Sequence, residues 1–220
     1  MLTIELINNN IPRLQLQDTV VKALQLLTDY RLTHLPVVSE EKYLGLLSED
    51  DLQDADDKKI TIEVLQKNFI QVSVQDNVHF LNAVNVSNQY ETNIVPVINS
   101  TNDFAGVITT SDLLKTLGNF AGGNEIGGLI VLEMERSQFA ISEISRIVES
   151  NDCTILHLNS TVHAETGMLT VTLHLNNKEI SAIVATFERY DFDVIYFYGN
   201  EKFENEIHTN YRHLMNYLDI

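Results

Sequence analysis

Two stretches of this chain repeat one another 60 residues apart, measured from Pro36 to Pro96, and that repeat limits the fold more than any other feature. The first stretch runs Asp18-Thr-Val, Ala23-Leu, His34-Leu-Pro-Val-Val38, then Gly45-Leu-Leu-Ser-Glu-Asp-Asp-Leu52. The second runs Asp76-Asn-Val, Ala83-Val, Ile94-Val-Pro-Val-Ile98, then Gly106-Val-Ile-Thr-Thr-Ser-Asp-Leu113. Alanine to proline is 13 residues in both, and glycine to the last aspartate is six in both. The second copy has two extra residues before its alanine and one between proline and glycine, lengths that loops absorb. Within the first copy, Val20, Ala23, Leu24 and Leu27 have helical spacing after Asp18, a suitable N-cap. Leu35–Val38 and Tyr43–Leu47 are short β runs around the polar turn Ser39-Glu-Glu-Lys42, and a helix follows from Asp51. One hairpin flanked by helices leaves an apolar face uncovered, so the two copies are expected to pair.

Glycine is scarce enough to be read position by position. Five of nine fall in Gly118-Asn-Phe-Ala-Gly-Gly-Asn-Glu-Ile-Gly-Gly128, which predicts a linker at 119–127. Beyond it, residues 128–199 read strand, helix, strand, strand, helix, strand. Leu129–Met134 is apolar, Ala140, Ile144, Ile147 and Val148 mark a helical face, and Gly167 turns a hairpin between Thr154–Val162 and Met168–Leu175. Ile180, Ile183, Val184 and Phe187 mark a second helical face before Val194–Tyr198. This βαββαβ order predicts a ferredoxin-like sandwich with both helices on one side. In the hairpin, positions summing to 331 face each other, which pairs His157 with His174, Asn159 with Thr172 and Thr161 with Thr170 on a solvent-exposed sheet face. Two histidines are too few for a metal centre. Cys153 is either a small buried residue or an exposed turn thiol. Phe203, Ile207, Tyr211, Leu214 and Leu218 predict an amphipathic helix within 200–220.

The repeated pattern resembles the tandem CBS-domain pair, or Bateman module, over residues 1–118, with copy one at about 1–58 and copy two at about 59–118. The resemblance implies an adenosine-containing ligand of the AMP, ATP or S-adenosylmethionine type. It assigns Asp51 and Asp112 to the ribose hydroxyls, and Ser48 and Thr109 to the ribose and phosphate. Leu35-Pro36-Val37 and Val95-Pro96-Val97 then surround the adenine. The residues alone also allow a plainer reading, in which Ser48 and Thr109 are helix N-caps with acidic first turns, and Gly45 and Gly106 are small strand residues. Charge ranks the two clefts. Glu49, Asp50, Asp51, Asp54, Asp56 and Asp57 would repel a polyphosphate at the first, whereas Thr109-Thr-Ser-Asp112 carries one acid. Cations near either are few (Arg31, His34, Lys42, His79 and Lys115), so a monophosphate or S-adenosylmethionine suits this surface better than free ATP.

The second half, placed behind such a pair, resembles an ACT domain, and the whole order is similar to the acetoin-utilisation (AcuB-type) proteins. The fold class expected is therefore α+β: a tandem CBS pair followed by a ferredoxin-like, ACT-like unit. ACT domains often bind amino acids through a glycine-bearing turn after the first strand. Here that turn is Glu133-Met-Glu-Arg-Ser137, without glycine, which favours a dimerising sandwich.

Composition narrows the function classes. The net charge is −17, shared as −8 over residues 1–124 (8 basic, 16 acidic) and −9 over 125–220 (6 basic, 15 acidic), which argues against nucleic acid and anionic membrane surfaces. No run of 18 apolar residues exists, the first residues lack a signal-peptide pattern, and one cysteine fits a reducing cytoplasm. No P-loop, dinucleotide fingerprint or nucleophile motif is present, so no catalytic residue and no required cofactor is expected. The expected role is regulatory: an adenosine nucleotide or S-adenosylmethionine as effector, a homodimer, and an unidentified protein target. The alternative is a ligand-free interaction scaffold.

Overall fold

The computed structural model describes residues 1–200, and the amphipathic segment 203–218 lies outside them. The chain divides into two units, Met1–Leu117 and Gly118 onward.

In the first unit, helix α1 (Val20–Tyr30) buries Val20, Ala23 and Leu27 and ends at Arg31, whose φ of 55° closes the helix in the left-handed region. Its cap is Thr19, one residue beyond the expected Asp18: the Thr19 hydroxyl accepts from Lys22 N at 3.3 Å. Asp18 accepts instead from Gln15 N at 2.9 Å and pairs with Lys22 Nζ at 2.6 Å, so it closes the preceding turn. Strands β1 (His34–Ser39) and β2 (Lys42–Ser48) form the first hairpin, followed by the short helix α2 (Glu49–Gln53). The second copy repeats this with β3 (Val74–Gln75), α3 (Leu81–Gln89), β4 (Ile94–Ile98), β5 (Phe104–Thr109) and α4 (Thr110–Phe120). Both hairpins carry the same irregularity, between Val37 and Val38 in one and Val97 and Ile98 in the other. Gly45 and Gly106 face it with φ of +145° and +146°.

The copies exchange chain. Each hairpin receives a parallel partner from just upstream: Leu14 pairs with Val37, and Val74 with Val97. Each also receives an antiparallel partner, and here the order crosses. Ile70, downstream, pairs with Leu46 on β2, whereas Asn8, from the start of the chain, pairs with Val107 on β5. The 3-10 turn Thr3–Leu6 docks on the second copy through Thr3 N to Val78 O and Ile4 N to Asp76 O, both 2.9 Å. The glycines permit this exchange. A Cβ on Gly106 would stand 2.4 Å from Ile7 Cγ2, and one on Gly45 would stand 2.8 Å from Phe69 Cβ. The hairpin tips also join, through Lys42 Nζ to the Asp103 carboxylate and Phe104 N to Glu41 O at 2.8 Å. Ile94 and Val107 of the second copy sit in the core built on the first, so neither copy buries its apolar face alone.

The second unit contains β6 (Gly128–Met134), α5 (Ile141–Glu149), β7 (Ile155–Val162), β8 (Leu169–Leu175), α6 (Ser181–Arg189) and β9 (Asp193–Tyr198). The sheet order is β7-β8-β6-β9, antiparallel throughout, as the ferredoxin-like expectation requires. Alternate residues Ile130, Leu132 and Met134 meet Ile144, Ile147, Val148, Ile183 and Phe187 in one core. The hairpin register is the expected one, with His157 opposite His174 and Gly167 turning at φ +72°. Its outer face is not open at the histidines. His174 is 8% exposed, and Phe120 lies edge-on to His157 at 6.0 Å. The glycine-rich segment makes that cover: a Cβ on Gly127 would fall 1.8 Å from Leu175 O, an approach only glycine allows. Cys153 is buried, with its Sγ 3.0 Å from Asn176 Oδ1.

Candidate functional site

Each hairpin hands its last strand directly to a helix, and the junction builds the same polar cluster in both copies. Ser48 ends β2 in extended backbone and caps α2, with Asp51 N donating to Ser48 Oγ at 3.1 Å. The Ser48 hydroxyl returns a bond to Asp51 Oδ2 at 2.5 Å. Thr109 does the same at the start of α4: Asp112 N donates to its Oγ1 at 3.1 Å, and that hydroxyl donates to Asp112 Oδ2 at 2.6 Å. The N-cap geometry is therefore present, and it orients the aspartate.

The exchanged segments complete both clusters, and no motif or spacing in the sequence marks them. Asn68 Nδ2 donates to Asp51 Oδ1 at 2.8 Å, and Asn8 Nδ2 approaches Asp112 Oδ2 at 3.5 Å. Both bonds to Asp112 fall on one oxygen. Asp51 uses both of its oxygens, whereas Asp112 Oδ1 has no hydrogen-bond partner among the described residues. Ser48, Asp51, Thr109 and Asp112 are all half-buried. A half-buried carboxylate with an unused oxygen can accept from vicinal hydroxyls.

The strands assigned to the adenine lie deeper. Leu35, Val37, Val95 and Val97 have no exposed surface, and Pro36 and Pro96 are also buried. Leu35 and Val37 fill one core, and Val95 and Val97 another. The Pro36 carbonyl accepts from Leu14 N at 2.8 Å.

The two clusters differ most at the first residue of the opposing strand. His34 pairs in register with Ser48, whereas its counterpart Ile94 pairs with Thr109. His34 Nδ1 lies 2.9 Å from Thr33 Oγ1. Burial pushes its pKa down, against the opposing pull of Asp51 and Asp50. Between the clusters the copies are tied by Thr33 N to Asn93 Oδ1 at 3.0 Å and Asn93 Nδ2 to Arg31 O at 2.9 Å.

A separate groove of about 520 Å³ runs between α3 and α4, lined by Val84, Ser87, Asn88, Thr110, Ser111, Leu113, Leu114 and Leu117. Leu114 is 72% exposed on its rim. Among the described residues no group of three or more His, Cys, Asp or Glu side chains is placed to hold a metal ion, the acidic run Glu49–Asp57 included. Among them too, no helix is long and apolar enough to cross a membrane.

Residues 4–58 match the family model described as CBS domain. A homoserine O-acetyltransferase from Methanobrevibacter ruminantium is 25% identical over 119 residues, 53% of this chain and 24% of that protein. The chain thus spans about a quarter of the length of the curated relative it matches. Among solved structures, a CBS domain pair/ACT domain protein from Thermotoga maritima is 16% identical with a TM-score of 0.50, over 55% of this chain and 98% of that one. The CBS domains of a transcriptional regulator from Streptococcus pneumoniae are 22% identical with a TM-score of 0.46, over 52% and 98%. The architecture is α+β: a CBS-type pair followed by a βαββαβ, ACT-like unit.

Proposed function

We propose that the tandem pair binds an adenosine-containing metabolite at the Thr109–Asp112 cluster and relays its presence as a regulatory signal. One observation carries this reading: Asp112 Oδ1 is an unused acceptor on a half-buried carboxylate that Thr109 and Asn8 hold in place. A ribose with two vicinal hydroxyls suits it. The start of the 11-residue α4 beside Thr109 favours an anionic group at that end. The Asp51 cluster ranks second, because both of its oxygens are engaged and acids crowd α2. Low local positive charge selects a monophosphate such as AMP, or S-adenosylmethionine, over free ATP.

In this reading the ligand shifts the placement of the two copies, and a dimer transmits the change to a protein target in the cytoplasm. The apolar lining of the groove between α3 and α4, with Leu114 exposed on its rim, supports this groove as the surface by which two chains meet in that reading.

Calorimetric titration of AMP, S-adenosylmethionine and ATP into the wild type and Asp112→Ala tests the site. Loss of the charge-assisted bonds weakens binding by about tenfold or more. Equal affinity of both proteins for every ligand would sink the assignment. A second reading, a scaffold without a small ligand, draws support from the adenine-flanking side chains being fully in the core. Thermal shift separates the two: a ligand at a hundredfold excess over its Kd stabilises by about 2.7 kcal/mol, and a scaffold is not stabilised by any nucleotide.

A further inference from the structure

The ACT-like unit has a polar pocket at the other end of α5 from the glycine-less turn that follows its first strand. It has a volume of about 210 Å³, lies at the C-terminal ends of α5 and α6, and is lined by Arg146, Ser150, Asn151, Thr186, Arg189 and Tyr190 along with Ile147. We propose that this pocket binds a small oxyanion, a phosphate or a short carboxylate, between the guanidinium groups of Arg146 and Arg189.

The charges are out of proportion to their surroundings. Residues 125–220 carry a net −9, and the described part of them holds only Arg136, Arg146, Lys178 and Arg189 as cations. Two of these four meet at one cavity. An arginine at a helix C-terminus ordinarily serves the exposed carbonyls and the helix dipole. Here local groups already serve those carbonyls. Ile147 O accepts from Ser150 Oγ at 2.9 Å and from Asn151 Nδ2 at 2.8 Å. Thr186 O accepts from Tyr190 N at 3.2 Å, and the Thr186 hydroxyl donates to Ala182 O at 2.7 Å.

The guanidinium groups therefore keep donors to spare. Arg189 meets no carboxylate among the described residues, and its Nη2 donates to Thr186 Oγ1 at 3.3 Å. The Arg146 Cζ lies over the Tyr190 ring at 5.6 Å, and its nearest acid, Glu143, stands 3.6 Å away in a solvent-exposed pair. Two planar forks beside one polar cavity match the oxygens of a carboxylate or phosphate. The volume is below that of drug-sized ligand pockets, which selects a small anion over a nucleotide.

The test is an NMR titration of the full chain, following the Arg146 and Arg189 side-chain N–H signals while adding inorganic phosphate, then malonate, with chloride at matched ionic strength. Saturable shifts of both arginines with phosphate or malonate, and none with chloride, are expected. Arg189→Gln then binds about tenfold more weakly, while Arg189→Lys, which keeps the charge and the exposed position, retains part of the affinity. Asp112→Ala leaves the phosphate titration unchanged, which separates this pocket from the adenosine cluster. Shifts that grow linearly with any salt, or a Kd unaltered in Arg189→Gln, would overturn the proposal.

Discussion

At the scale of single residues, the repeated motif is legible because its chemistry is local. Glycine, two apolar residues, a hydroxyl and an aspartate three further on specify a strand that ends in a capped helix, and both copies form it. Their unequal partners are not legible. Asn8 and Asn68 reach the aspartates across 104 and 17 residues, and nothing in their own neighbourhoods marks them. His34 is a visible difference, since the copies align and its counterpart is Ile94. Its consequence is a pH dependence. Burial holds the folded-state pKa of His34 below the ordinary value of 6.5. The folded protein therefore binds fewer protons than the unfolded chain as pH drops through that range. The contribution of neutral His34 to stability is fully present above the unfolded pKa and is lost as pH falls through the lower folded one. Chemical denaturation of the wild type and His34→Ile along a series of pH values checks this. The wild type is expected to lose more stability between neutral and mildly acidic pH than the variant. Parallel curves would show that Asp51 and Asp50 cancel the effect of burial.

At the scale of elements, the hairpins follow from their turns, and the strand exchange does not follow from any periodicity. The continuous apolar runs that mark β1 and β2 are absent from residues 1–10, which alternate only over Leu2–Leu6 and end in three consecutive asparagines that read as loop. Their pairing with β5 is decided by the edge that strand leaves open, 99 residues downstream of Asn8 at Val107. A similar gap in the sequence reading affects Gly118–Gly128. Such a run reads as a free linker, yet its small residues let the backbone lie close over His174. Register in the second unit was legible for the opposite reason, because a short turn at Gly167 fixes every pair behind it. The exchange makes a strong prediction at Gly106. Alanine there must adopt a φ of +146° and clash with Ile7. The expected cost is about 2 kcal/mol or more in a denaturant melt. Hydrogen exchange locates it: the amides of Thr3, Ile4 and Asn8, which bond to the second copy, lose protection before those of α1. Uniform loss across both copies would mean that the segment is not a separate element.

At the scale of the whole molecule, the question is what the helix face of the pair is for. A groove of about 520 Å³ lined by Val84, Leu113, Leu114 and Leu117 is costly to leave in water, and among the described residues Leu114 stays 72% exposed on its rim. The chain as a whole carries a net −17, and like charges hold identical chains apart unless apolar contact outweighs them. The dimer proposed above, if formed through this groove, rests on few side chains, and one charge placed among them is expected to abolish it. Leu114→Glu removes an apolar contact and sets two new carboxylates against each other across a two-fold interface. It leaves the monomer's core intact, because Leu114 is not part of it. Light scattering after gel filtration is expected to give a dimer for the wild type and a species of 25.0 kDa for the variant, with little change in the thermal melt at high dilution. The same samples couple this to sensing. If ligand binding at Asp112 and pairing at α4 bias one conformational equilibrium, AMP or S-adenosylmethionine must alter the dimer's dissociation constant, and Leu114→Glu must alter the ligand's affinity by the same factor. A variant that is monomeric yet binds the effector with unchanged affinity would separate the two faces of α4 and leave the groove with no part in the signal.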